Sequence, residues 1–277
     1  MKCYFLTFLL FFSFALFGAS YETQIHSIER GHKGEPHLIL LMDGHVAFLE
    51  KSSNSLLDEL LKSLENEEWI EVTLDEKLNL VSYKILNRLL YTPNSIFPTS
   101  DNILFSYEPS ILTITEASSA FKSMRRDYQD ESQCYNRAHI WTYEEYNRKS
   151  VYSNKLFLFF TTKYIRTYRY HWWFHVTPMV FMGGTDQSNW RTLDRRYTIE
   201  PLLTKTWTNI FMNNNALCPV VHNYSDYRNH QNDQWCYLIP TTMFFWQPRD
   251  IERLERTGYQ KSSYISSEVD YAYWEAF

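Results

Sequence analysis

One unpaired cysteine, Cys134, is the residue best suited to covalent chemistry in this sequence of 277 residues. Of the other three cysteines, Cys3 lies in an N-terminal stretch typical of an export signal, and Cys218 and Cys236 are predicted to pair with each other. An odd thiol in an exported protein is either a disulfide partner for another molecule or a reactive group. Cys134 is also predicted to lie in the first turn of a helix, where the helix dipole and free N–H groups stabilise a thiolate. We therefore predict a cysteine nucleophile, with a buried structural cysteine as the alternative.

A thiolate nucleophile needs a base and an orienting acid, and His175 and Asp194 are the candidates. The base takes the thiol proton and later hands it to the leaving amine, and the acid fixes the tautomer of the base. His175 lies in a predicted strand, in which Trp173 shares its face and is either core or a wall of the cleft. Asp194 ends the next short strand, but it also stands beside two arginines and could form a surface ion pair. His139 is a rival base, although helical geometry rotates it away from the thiol of Cys134.

The elements that must hold these residues are a helix followed by a mainly antiparallel sheet. The helix is predicted from Asp130 to Arg148, with Asp130 or Ser132 as N-cap and Gln133 closing a capping box with Asp130. Either N-cap leaves Cys134 in the first turn. Strands are predicted over residues 155–164, 169–182, 190–194 and 235–246, and helices over residues 198–211, 250–256 and 266–276. This order of elements predicts an α+β fold.

The residues before this helix are predicted to form a smaller α+β region. The apolar runs Leu38–Met42 and Val46–Leu49 are separated by an Asp-Gly pair and predict a hairpin. Leucines with helical spacing between Leu56 and Leu64 predict a helix capped by Asn54 or Ser55.

A linker rich in turn-forming residues separates the two regions. It contains three prolines, Pro93, Pro98 and Pro109. Proline interrupts both helices and strands, so we place the N-terminal region at residues 21–118 and the second region at residues 119–277.

The first 20 residues are predicted to be a secretory signal. Lys2 supplies a positive charge, Tyr4–Phe17 is apolar, and small residues allow cleavage after Ser20. An uncleaved membrane anchor is the alternative. We expect a secreted or periplasmic protein without stable membrane association after cleavage. The net charge of −5 and the absence of a long basic run argue against nucleic acid as a partner.

The run Cys134-Tyr-Asn-Arg-Ala-His139, followed by His175 in a strand and Asp194 in a Leu-Asp context, resembles the bacterial protein glutaminases, also called protein deamidases. The intervals between the three residues are similar to those of the family. The resemblance covers roughly residues 119–240.

The resemblance implies both a fold and an activity. Family members are secreted α+β proteins whose core is related to papain and transglutaminase, with the catalytic cysteine at a helix N-terminus packed on an antiparallel sheet. They hydrolyse glutamine side chains in proteins and peptides to glutamate and ammonia. The family's nucleophile, base and acid fall on Cys134, His175 and Asp194. Members also carry an N-terminal pro-region that blocks the site until it is removed, and residues 21–118 are either such a region or an accessory domain.

The implied mechanism is acyl transfer to water through a thioester, and it requires no metal or organic cofactor. The backbone N–H of Cys134 is the expected donor to the oxyanion. Three alternatives stay open: a transglutaminase or a cysteine peptidase with the same triad, and a non-catalytic binding protein on the same fold.

Two other groups of residues were weighed as metal sites. Cys218 and Cys236 are predicted to form a disulfide, which exported proteins favour, with a zinc site that adds His222 and His230 as the alternative. The second group is three histidines near the N-terminus, His26, His32 and His37, which lack a partner at a recognisable spacing.

Overall fold

Two β-sheets, each accompanied by helices, make up the part of the chain described by the computed structural model. The described residues are 19–32, 34–87, 108–212, 217–258 and 267–277. The predicted signal sequence up to residue 18 and the linker prolines Pro93 and Pro98 lie outside them.

The first sheet contains five strands. They are β1 (Ala19–Glu29), β2 (His37–Leu41), β3 (Val46–Leu49), β4 (Trp69–Leu74) and β5 (Leu80–Ile85), and helix α1 (Asn54–Glu65) connects β3 to β4. All neighbours are antiparallel, in the order β3-β2-β1-β4-β5. The sheet was predicted only in part, because the sequence analysis identified the β2–β3 hairpin but not β1, β4 or β5.

The predicted hairpin and helix of this region are confirmed in position. Strands β2 and β3 form the hairpin, with Gly44 at a φ of +98° in the turn. The predicted cap of α1 is wrong, because the N-cap is Ser53 and its side chain makes no capping bond.

The second sheet has six strands. They are β6 (Ile111–Leu112), β7 (Asn154–Phe160), β8 (Phe174–Met182), β9 (Trp190–Thr192), β10 (Leu202–Leu203) and β11 (Cys236–Thr242). Five of them are antiparallel in the order β10-β9-β8-β7-β11, and β6 runs parallel to β8. Among the described residues, seven helices accompany this sheet: α2 (Ile114–Ser123), α3 (Cys134–Lys149), α4 (Thr162–Tyr168), α5 (Thr204–Met212), α6 (Tyr224–Asn229), α7 (Pro248–Thr257) and α8 (Ser267–Ala276). Helix α3 packs against β8 on one side and α8 on another.

The structure confirms the predicted α+β class but shortens several predicted elements. The strand predicted over 155–164 ends at Phe160, because the hydroxyl of Thr161 accepts a bond from the Tyr164 N–H at 3.3 Å and starts α4. The strand predicted from residue 169 begins at Phe174, after Arg169 has closed α4 with a left-handed φ of 49°. The helix predicted from residue 198 begins at Thr204, after the short strand β10.

The predicted disulfide between Cys218 and Cys236 is present and closes a loop that contains α6. Within the described ranges, no helix is long and apolar enough to cross a membrane. In the same ranges, no group of three His, Cys, Asp or Glu residues could hold a metal ion.

One face of the β2–β3 hairpin belongs to the hydrophobic core of the second sheet, whereas the first sheet has a further core of its own against α1. Four side chains of the β2–β3 hairpin, Leu38, Leu40, Val46 and Phe48, are buried in the same cluster as the aromatic residues of β7 and β8. Burial of an apolar side chain of this size stabilises a protein by roughly 1.5–3 kcal/mol. Burial of these four side chains therefore favours the contact between the hairpin and the second sheet.

Truncation of Phe48 tests this shared core. We expect Phe48→Ala to lower the free energy of unfolding by about 3–5 kcal/mol, since it removes a fully buried ring and leaves a cavity. Val81→Ala is the matched control, because Val81 is 64% exposed on β5. Denaturant unfolding of the two variants gives the comparison, and an equal small loss in both would contradict a shared core.

Candidate active site

Cys134 is the first residue of helix α3, and its side chain is buried. The N-cap is Gln133, so the predicted caps Asp130 and Ser132 and the predicted capping box are wrong. The hydroxyl of Ser132 is engaged elsewhere, since it donates to the Gln129 carbonyl at 2.6 Å. The expected placement of Cys134 in the first turn is nevertheless correct.

A carboxylate from the C-terminal helix takes the place of a local cap. Glu275 of α8 accepts from the Gln133 N–H at 2.8 Å and from Asn136 Nδ2 at 2.7 Å. The sequence contains no local signal for this contact, because the partners are more than a hundred residues apart. Burial raises the pKa of Glu275, and the bonds from Asn136 and Gln133 partly oppose that rise.

His175 and Asp194 form a buried ion pair behind the thiol. The Nε2 atom of His175 lies 2.7 Å from Oδ2 of Asp194. Cys134 and His175 line the same cavity, and Nδ1 is the ring nitrogen that Asp194 leaves available. The structure thus brings together the three residues that the sequence singled out.

The protonated form of His175 is favoured by its neighbours. Burial of the ring lowers its pKa, but the charge of Asp194, its hydrogen bond and the contact with Cys134 outweigh this effect. Together they raise the pKa of His175 to about 9. Near neutral pH the ring is therefore a cation that can give a proton to a leaving group.

Hydrogen-bond donors hold Asp194 as an anion, and one of them, Trp207, was not predicted from the sequence. Trp207 of α5 is fully buried and donates its Nε1–H to Oδ2 of Asp194 at 2.9 Å. Burial by itself would raise the pKa of Asp194. The charge and hydrogen bond of His175, the bond from Trp207 and the charge of Arg137 outweigh this effect, so the pKa lies below its ordinary value. From the sequence, Trp207 was predicted only to lie in the helix that follows Asp194.

A buried arginine adds positive charge beside the thiol. Arg137 lies one turn after Cys134 and is only 3% exposed, with its guanidinium bonded to the carbonyl and hydroxyl of Ser132. Burial lowers the pKa of Arg137, whereas the neighbouring charges of Cys134 and Asp194 raise it. The guanidinium of Arg137 and the side chain of Cys134 line the same cavity.

Two connected cavities give access to this group. One, of about 340 Å³, is lined by Cys134, His175 and a wall of aromatic side chains. The other, of about 460 Å³, shares Arg137, Trp172 and Tyr197 with the first. Aromatic side chains thus form much of the wall of the cavity that contains the sulfur.

Trp173 and His139 lie away from the cleft. Trp173 is fully buried and stacks on His26 at 4.4 Å, so it belongs to the core, and its neighbour Trp172 lines the cavities instead. Nδ1 of His139 lies 2.6 Å from Nζ of the buried Lys155, on another face of α3, as helical geometry predicted.

The N-terminal histidines do not converge on a metal site. Nε2 of His26 lies 2.7 Å from the Tyr224 hydroxyl, and Nδ1 of His37 accepts from the Gly31 N–H at 3.3 Å.

A buried cysteine at a helix N-terminus, in one cavity with a histidine that is paired with an aspartate, is typical of enzymes that transfer acyl groups through a thioester. Residues 113–211 match a protein-family model described as a glutaminase. That segment contains Cys134, His175, Asp194 and Trp207. The match confirms the resemblance to the protein glutaminases for this part of the chain.

The chain is also similar to three solved structures of protein-glutaminases. A mutant of pro-protein-glutaminase is 14% identical over 83% of this chain and 84% of that chain, with a TM-score of 0.47. Another pro-protein-glutaminase crystal structure is 13% identical over 83% of each chain, with a TM-score of 0.43. The protein-glutaminase from Chryseobacterium proteolyticum is 14% identical over 57% of this chain and 92% of that chain, with a TM-score of 0.31. No curated protein matches the chain significantly.

The His175–Asp194 pair predicts a pH dependence of stability. Because the pKa of His175 is raised from 6.5 to about 9 in the folded protein, the stabilisation is complete below pH 6.5 and is lost as the pH rises through 9. We expect the free energy of unfolding to fall by up to about 3 kcal/mol between these limits. In His175→Gln this fall should disappear, and denaturant titrations at several pH values measure it. A wild-type protein whose stability is flat from pH 6.5 to 9 would contradict the buried ion pair.

Proposed function

We propose that this protein hydrolyses the side-chain amide of glutamine in proteins or peptides, with Cys134 as nucleophile, His175 as acid and base, and Asp194 as the orienting anion. The observation that carries the proposal is a single cavity lined by Cys134 and by His175, whose Nε2 atom lies 2.7 Å from Asp194 Oδ2. The glutaminase family match over residues 113–211 supports the choice of glutamine as substrate.

The first half of the reaction forms a thioester. The Cys134 sulfur attacks the Cδ carbonyl of glutamine, and the charge moves to the carbonyl oxygen. As this tetrahedral intermediate collapses, the C–N bond breaks and the imidazolium of His175 protonates the departing nitrogen, which leaves as ammonia.

The second half consumes water. His175, now neutral, takes a proton from a water molecule that attacks the thioester carbon, and the C–S bond breaks to release glutamate and the thiolate. Asp194 keeps its charge throughout and stabilises the imidazolium each time it forms. One glutamine amide and one water thus give one glutamate and one ammonia.

The oxyanion is assigned to the N-terminus of α3. The first amides of a helix have no acceptor within the helix, so the Cys134 N–H is available to the carbonyl oxygen. The Gln133 N–H is already used by Glu275 and is not the second donor.

Export of the protein is part of this proposal. A disulfide between Cys218 and Cys236 persists in oxidising compartments and supports a secreted or periplasmic location. Fractionation of a producing cell, with the N-terminus of the exported chain sequenced, tests this location and the predicted cleavage after Ser20.

Replacement of the thiol tests the reaction. We expect Cys134→Ala to lower ammonia release from a glutamine-containing peptide by at least about a thousandfold, since no other nucleophile lies at the helix start. Peptide mass should rise by the amide-to-acid difference, with neither cross-links nor new termini. Cross-linking to an added amine would favour a transglutaminase, and new termini would favour a peptidase. Full activity in Cys134→Ala would refute the proposal.

Trp207 offers a second test with a matched control. Trp207→Phe removes the Nε1–H donated to Asp194 but keeps a buried aromatic ring. We expect kcat for ammonia release to fall about ten- to a hundredfold, the worth of one hydrogen bond to a charged group. Trp190→Phe removes an Nε1–H bonded to the Thr185 carbonyl at 2.9 Å, outside the site, and should leave kcat nearly unchanged. Equal kcat values in the two variants would exclude the role of Trp207.

A further inference from the structure

We propose that Phe211 is a positioning residue, and that its ring fixes the plane of the His175 imidazole and favours the cationic form of that imidazole. From the sequence, Phe211 was predicted only to end the helix over residues 198–211. The effect on the imidazole follows from the packing of the rings, whereas the effect on ammonia release rests on the proposed function.

Three aromatic rings pack around the imidazole of His175. Its centroid lies 4.6 Å from the ring of Phe211, 5.3 Å from that of Tyr197 and 5.7 Å from that of Trp207. Phe211 is the nearest of these three rings, and it also contacts the other two, at 5.2 Å from Tyr197 and 5.4 Å from Trp207. Phe211 is therefore the ring that joins the group together.

The packed rings restrict how the imidazole can turn. Oδ2 of Asp194 lies 2.7 Å from Nε2 of His175, and this bond constrains one atom of the ring. The torsion that turns a histidine ring about its bond to Cβ is otherwise broad. Phe211 lies against the imidazole at a tilt of 40°, so a large rotation about that bond would drive the two rings into each other. Nδ1 therefore keeps a defined direction at the cavity that Cys134 also lines.

The faces of the same rings suit a positive charge. The rings of Phe211 and Trp207 are tilted by 40° and 32° from the imidazole plane, so each turns its face toward the imidazole more than its edge. An aromatic face carries partial negative charge and attracts a cation within roughly 6 Å of its centroid, more strongly where water is excluded. Because His175 is only 7% exposed, this attraction adds to that of Asp194 and favours the imidazolium.

The charged and titratable groups around the imidazole come from three other parts of the chain. They are Asp194 and Tyr197 between β9 and β10, Cys134 and Arg137 of α3, and Tyr170 and His171 before β8. The side chain of Phe211 carries neither a charge nor a hydrogen-bonding group. A substitution of Phe211 therefore changes the packing and the π face at the imidazole while all of these groups stay in the protein.

The position of Phe211 is itself fixed by α5. Phe211 lies one turn after Trp207, whose Nε1–H donates to Asp194 at 2.9 Å. Residues four apart share a face of a helix, so α5 brings a donor to the acid and a ring to the base. The Phe211 carbonyl accepts the Tyr164 hydroxyl at 3.1 Å, which ties the end of α5 to α4.

Nuclear magnetic resonance of the nine histidines tests the effect on the imidazole. The full chain is isotope-labelled at histidine Cε1, and the His175 signal is identified by its loss in His175→Gln. Phe211→Leu keeps an apolar side chain but removes the π face. We expect it to lower the proton affinity of His175 by about three- to tenfold, measured as a fall in the pKa of that residue. Phe211→Tyr keeps the ring and should restore the wild-type pKa.

Phe181→Leu is the matched control. Phe181 lies on β8, as His175 does, but its ring packs against Trp190 at 6.1 Å, outside the site. We expect Phe181→Leu to leave the pKa of His175 unchanged. An unchanged pKa of His175 in Phe211→Leu, or an equal fall in Phe181→Leu, would overturn the inference. Should Phe211→Leu not fold, Phe211→Met gives the same comparison without a ring.

Ammonia release gives a second measurement. We expect Phe211→Leu to lower kcat about tenfold, because the imidazole loses its fixed plane. The loss of activity at alkaline pH should move to lower pH together with the pKa of His175, and Phe211→Tyr should recover both properties. A fall in kcat with an unmoved pH profile would overturn the effect on charge. If even the wild type releases no ammonia while the pKa of His175 still falls in Phe211→Leu, the proposed function fails and the effect of Phe211 on the imidazole stands.

Discussion

The buried pair of His175 and Asp194 is the interaction on which the rest of the site depends. Two charges out of water carry a large desolvation cost, which their mutual attraction repays only when the geometry is good and the remaining lone pairs are satisfied. Here the 2.7 Å contact, the Trp207 donor and the positive charge of Arg137 meet that condition. Because the acid holds one nitrogen of the ring, the other nitrogen faces Cys134 with a defined orientation.

The scaffold around this pair is built from long-range contacts. Strand β8 carries His175, the turn after β9 carries Asp194, and α3 begins at Cys134, so three separate elements must meet within a few ångströms. The hairpin of the first sheet supports β8 through backbone bonds and a common core, and Glu275 of α8 holds the start of α3.

Local sequence patterns predicted which helices and strands form more accurately than they predicted where each one begins and ends. The run of apolar residues on β7 was recognised as a strand, but Thr161 ends it by capping α4, and a short apolar pattern does not distinguish a strand from the first turn of a helix. The start of α3 was misplaced for a related reason. Ser132 is a good N-cap by residue type, yet its hydroxyl is bonded to Gln129 and a carboxylate from the end of the chain interacts with the start of the helix instead.

The sequence by itself determined which residues could do chemistry: an odd cysteine at a helix start, a histidine in a strand and an acid at the end of the next, in the order of a known family. These properties can be recognised without a structure, because helix starts and strand periodicity depend on neighbouring residues and cysteines can simply be counted. Only the tertiary structure decided that Trp207 donates to Asp194, that Glu275 accepts from the backbone at the start of α3 and that His45 lines a cavity beside the site. Each of these contacts joins elements that are distant in sequence, and the free energy that selects them comes from packing across the two sheets, which no local pattern records.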